Sequence, residues 1–77
     1  MKELVEYLVR ELVAHPDSVH VTETRAGGSV TYEVRVHPED VGKVIGRGGR
    51  VANSLRTLVK AAASRSSERA SVEIMTD

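Results

Sequence analysis

The sequence predicts an α+β fold of element order α-β-β-α-α-β, on three observations. Apolar residues recur at helical spacing over residues 2–14 and again over 41–63. They alternate singly with polar ones around residues 19–23, 30–36 and 72–74. The last two alternating stretches are joined by two helical segments, which is long enough for a parallel crossover, whereas the first two are joined by a tight turn. A mixed three-stranded sheet with three helices on one face follows.

Leu4, Val5, Leu8, Val9, Leu12 and Val13 make residues 2–14 an amphipathic helix. Pro16 stops it, because a proline disfavours a helical residue before it. Val19 and Val21 alternate with His20 and Thr22 in a first strand, and Ala26-Gly27-Gly28 is a hairpin signal. Val30, Tyr32, Val34 and Val36 alternate with polar residues in the clearest strand of the chain. Pro38-Glu39-Asp40 opens a second helix, with proline at its first position and two acids at the positive end of its dipole. Val36 and Val41 are spaced as a hydrophobic staple around that start. This helix carries Val41, Val44 and Ile45 on one face and stops at Gly46. A third helix runs from Arg50 to Arg65, with Val51, Ala52, Leu55, Leu58, Val59, Ala62 and Ala63 as its core face. Val72 and Ile74 mark the last strand.

The 77 residues fit one domain spanning 1–77, and 40% hydrophobic content supports one core. The absence of cysteine excludes disulfides and zinc-thiolate centres. His15, His20 and His37 lack metal-ligand spacing, so no metal site is expected. No Ser/His/Asp set is readable, which argues against an enzyme, and no cofactor is implied. Glu3, Glu6, Arg10 and Glu11 interrupt the apolar residues of the amino terminus, which is neither a signal peptide nor a membrane span. A cytoplasmic protein without a membrane partner is expected.

Net charge is zero, but its distribution is uneven. Residues 1–40 carry four cations against eight acids, a net of −4. Residues 41–67 carry Lys43, Arg47, Arg50, Arg56, Lys60 and Arg65 and no acid, a net of +6; residues 68–77 return −2. The positive potential sits on one segment, as an anionic ligand would select.

That segment contains Ile45-Gly46-Arg47-Gly48-Gly49-Arg50, which breaks the rules of helix starts. The third helix has no Ser, Thr, Asp or Asn cap, and Arg47 and Arg50 place charge where the dipole is already positive. A phosphate held on exposed backbone N–H groups accounts for both features. A tight helix–helix turn alone accounts for one or two of the glycines and for neither arginine. Walker and dinucleotide loops fail on spacing: Gly49-Arg50-Val51 lacks the Gly-Lys-Ser/Thr ending, and Val51 stands where a glycine is needed.

Gly-x-x-Gly between two short helices, inside a strand-helix-helix-strand unit, resembles the KH domain in its type II, bacterial arrangement. The run from Val36 to Gly46, then Gly49-Arg50-Val51-Ala52 and Arg56 to Ala63, resembles the small single-KH proteins of the KhpA type, and the likeness covers essentially the whole chain. One departure is Gly48, where that family usually has a polar side chain. The resemblance implies a clamp on about four unpaired nucleotides, the bases turning onto an adjacent apolar groove. Gly46, Arg47, Gly48 and Gly49 then offer N–H groups, and Lys43, Arg47 and Arg50 supply charge. Val41, Ile45 and Val51 wall the groove, and Arg56 and Lys60 extend a basic track. The resemblance further implies a global RNA chaperone or post-transcriptional regulator with a KH-containing partner.

Tyr7 and Tyr32 are the only aromatics and neither is near the loop, so base stacking on aromatic rings is not the expected mode. One copy should bind single-stranded RNA weakly, and a homodimer, or a heterodimer with another KH protein, would raise effective concentration. Two other readings use the same residues. A helix-turn-helix would lay the third helix in a DNA major groove through exposed Arg56 and Lys60. A protein-interaction adaptor would use the first helix, whose apolar arc is wider than one core face needs.

Overall fold

The computed structural model describes residues 1–75. Among these, α1 (Lys2–Leu12), β1 (His20–Ala26), β2 (Ser29–Arg35), α2 (Val41–Ile45), α3 (Arg50–Ser64) and β3 (Arg69–Ile74) follow in the predicted order. Single 3-10 turns at Pro16–Ser18, Pro38–Asp40 and Arg47–Gly49 lead into β1, α2 and α3. No helix of the described residues is long and apolar enough to cross a membrane.

The sheet order is β1-β2-β3. β1 pairs antiparallel with β2, from His20 opposite Arg35 to Ala26 opposite Ser29. β3 pairs parallel with β2, from Ser29 beside Arg69 to Val34 beside Ile74. Period-two alternation decides the faces: Val30, Tyr32 and Val34 of β2 are buried with Val21, Ala70 and Val72. The opposite face carries Thr31 and Ser71, whose hydroxyls meet at 3.1 Å across the parallel pair. All three helices cover the first face, through Val5 and Val9 of α1, Val44 of α2, and Ala52, Leu55, Val59 and Ala63 of α3.

Several boundaries differ from the sequence expectation: Val19 and Val36, read as strand residues, lie just outside β1 and β2, and Pro38–Asp40 forms a 3-10 turn ahead of α2. α1 ends at Leu12 rather than residue 14: Val13 is already extended, at φ −106° and ψ 160°, and Pro16 keeps His15 out of the helical region as well. β1 runs on to Ala26 and β3 starts at Arg69, since backbone pairing extends past the alternating apolar residues. Leu58 does not belong to the core face of α3: it is 55% exposed. α3 instead carries two apolar stripes. One lies on the sheet. The other, Val51, Leu55 and Leu58, faces Leu8 and Leu12 of α1 across an open groove that also receives Glu11.

Candidate nucleic-acid interface

Gly46, Gly48 and Gly49 all adopt positive φ, at 76°, 65° and 77°. Backbone geometry therefore accounts for three glycines, more than the one or two a tight turn was expected to need. Gly46, at ψ 171°, sits in a region that only glycine populates. It is also packed shut, since a Cβ there would lie 2.8 Å from Val51 Cβ and 2.9 Å from Val51 N. Gly48 differs: its φ is left-handed, but nothing stands within 4 Å of where a Cβ would be.

The turn also uses some of the N–H groups expected to face a ligand. Gly46 N–H donates to Gly42 O at 2.8 Å, and Gly49 N–H donates to Gly46 O at 3.1 Å. Arg50 N–H donates to Arg47 O. The expectation that all four loop residues offer donors is corrected accordingly: Gly46 and Gly49 shape the loop. α3 has Gly49 at its cap position and no side-chain cap. Arg47 and Arg50 are exposed, and no ion pair of the described residues engages them. Two unneutralised cations thus stand at an uncapped, electropositive helix start.

A buried carboxylate holds the helix that presents this loop. Asp40 is fully buried, and its carboxylate accepts from Ala14 N–H at 3.1 Å and His15 N–H at 2.9 Å. The exit of α1 is thereby tied to the entry of α2. Burial pushes the Asp40 carboxyl up, but the two backbone donors and Lys43 outweigh it and hold it below the usual carboxylate range. The sequence reading gave Asp40 only a helix-dipole role. Nothing local marks its partners, 26 and 25 residues away.

The other expected site residues divide into three groups. Val41, Ile45 and Val51 are half-buried beside the loop, and Val51 both closes over Gly46 and lines the groove against α1. Lys43 is exposed but lies 3.4 Å from Asp40 Oδ1, so part of its charge is already met. Arg56 departs from the expected exposed track, whereas Lys60 keeps its exposed place on the polar face. Arg56 Nε donates to Val72 O at 3.1 Å and its Nη1 donates to Asn53 Oδ1 at 3.2 Å, which fastens α3 to β3. Lys60 is exposed beside Arg69 and Ser71, about 15 Å from Arg50 along the helix. The helix-turn-helix reading thereby loses Arg56, one of its two reading residues.

The KhpA/KhpB KH-domain model matches residues 2–74. The chain belongs to the KhpA/KhpB family of KH domains. Its relatives include proteins named RNA-binding protein KhpA. That of Clostridium perfringens is 49% identical over 97% of this chain and 100% of its own. That of Halalkalibacterium halodurans is 48% identical over 97% and 99%, and that of Chlamydia caviae 39% over 100% and 99%. No solved structure matches the chain. The KH assignment fits the short α2, the positive-φ loop and α3, which follow one another as in the helix-loop-helix core of that domain.

Proposed function

We propose that residues 1–77 act as one KH unit that holds short single-stranded RNA across Gly46-Arg47-Gly48-Gly49. The observation that carries this reading is the pair of unneutralised arginines at the uncapped start of α3. In the proposed complex, Arg47 and Gly48 N–H groups face a phosphate while the Arg47 and Arg50 side chains add charge. Lys43 contributes more weakly because Asp40 lies beside it. Bases turn onto apolar side chains of α2 and the start of α3, Val41, Ile45 and Val51. Lys60 takes part only with a longer strand, and Arg56 is a fastening of the fold.

The cell-level reading is a cytoplasmic RNA chaperone or post-transcriptional regulator that works as a dimer. The apolar groove between α1 and α3 supports the dimer: Leu12 and Leu58 are 40% and 55% exposed there, and Tyr7 on α1 is 60% exposed. A second copy, or another KH-containing chain, covers that face.

Salt dependence tests the phosphate clamp. If two or three phosphates are engaged, log affinity for an unstructured RNA falls with log salt at a slope of roughly −1.4 to −2.1, from about −0.7 per phosphate. An anisotropy titration at several salt concentrations reads that slope. A slope near zero removes the clamp from the account.

A further inference from the structure

The fold brings together three side chains that the sequence keeps apart. His15 leaves α1, while His37 and Glu39 precede α2. Their imidazole rings stack, with centroids 4.0 Å apart and planes 21° from parallel. Glu39 Oε1 lies 3.3 Å from His15 Nε2 and 3.7 Å from His37 Nδ1. One ligand atom from each of the three lies within 4.8 Å of the others.

We propose that His15, His37 and Glu39 form a binding site for a divalent transition-metal cation of the zinc class. Bonds of about 2.0–2.2 Å to nitrogen and oxygen put neighbouring ligands of a tetrahedral zinc roughly 3.4 Å apart. The two measured edges to Glu39 are already close to that spacing. The imidazole nitrogens lie within 4.8 Å of each other, and the stacked rings have to splay apart for both in-plane lone pairs to meet at one cation. Two imidazoles and one carboxylate suit zinc, cobalt and nickel, and do not suit magnesium or calcium, which take oxygen ligands. Water completes the coordination sphere.

The backbone around these ligands is tied down before any cation arrives, although the His37 ring has to give up its bond from Glu39 N–H to bind one. His15 N–H is bonded to buried Asp40, so the backbone of one ligand is anchored to the segment that bears the other two. His37 Nδ1 accepts from Glu39 N–H at 3.1 Å, which sets that ring against its own carboxylate neighbour. The cation takes the place of this N–H at Nδ1. A bound metal would tie α1 to the entry of α2 from the surface, beside the tie that Asp40 makes from inside. The site stands at the opposite end of α2 from Gly46.

Calorimetric titration of the full chain with zinc chloride at pH 7.5 tests the proposal, alongside His15→Ala, His37→Ala and, as a control, His20→Ala, an exposed residue of β1 outside the cluster. One zinc per chain is expected with micromolar affinity, weakened at least tenfold in His15→Ala and in His37→Ala and unchanged in His20→Ala. The melting temperature of the parent should rise with zinc, return with a chelator, and ignore magnesium. Zinc that binds all four proteins alike, or only at millimolar concentration, overturns the proposal. A His15→Ala protein that melts as the parent does without metal, and still takes up zinc with parental affinity, overturns it as well.

Discussion

A methyl group added at Gly46 and one added at Gly42 have opposite expected effects. Gly46→Ala forces a side chain into a glycine-only conformation and onto Val51, and should cost at least about 2 kcal/mol of stability in a denaturant titration. Gly42 lies inside α2 with open space where its Cβ would be. Gly42→Ala should therefore raise stability by up to about 1 kcal/mol. Packing within the chain does not explain Gly42, and if a ligand approaches closely there the same variant should bind RNA less well. Loss of stability in Gly42→Ala would contradict this account. From sequence, the loop glycines stood out, but which needed its hydrogen atom did not. That depends on the position of Val51 and on three φ angles, which composition does not encode.

At the scale of elements, Asp40 joins two helices through one carboxylate. Its pKa is depressed in the fold, so its contribution is fully present above the ordinary carboxylate value and is lost as pH falls from there through the lowered folded value. The parent should lose stability as pH drops below about 4, and Asp40→Asn should show a flatter decline over that range. At neutral pH the same variant leaves one of two backbone donors facing an amide NH₂, and its melting temperature should fall by about 5 °C or more. An unchanged melt at neutral pH would show that the clasp does not hold α2. Element order and strand alternation were legible because periods of 2 and 3.6 residues are local properties. The clasp and the His15–His37–Glu39 cluster were not, because both depend on the end of α1 folding back over residues 37–40. Pro38-Glu39-Asp40 also looked complete as an ordinary helix start, so nothing signalled a second role.

For the molecule as a whole, the apolar side chains divide between a core and an open groove. Helical spacing gave α3 a single core face that included Leu58, since Leu55 and Leu58 are adjacent on a helix surface and spacing does not separate a buried stripe from an open one. Leu58→Asp places a charge in the groove and should leave a folded monomer, which sedimentation at micromolar concentration would read. A parent that is itself monomeric, with no KH-containing partner recovered from cells, would count against the dimer. The charge division is likewise a property of the whole chain: acids gather before residue 41 and cations after it. The most direct measurement is a thermal melt and an RNA titration on Arg47→Asp/Gly48→Asp. Gly48 has left-handed φ but open space around it, and aspartate tolerates that region better than most residues. Aspartate near the start of α3 also suits its dipole, so stability should change by no more than about 1 kcal/mol. Two negative charges then face the phosphates in place of one cation, and affinity should fall at least tenfold, about 1.4 kcal/mol. A folded double variant that binds single-stranded RNA as the parent does would make the loop a structural turn and contradict the account.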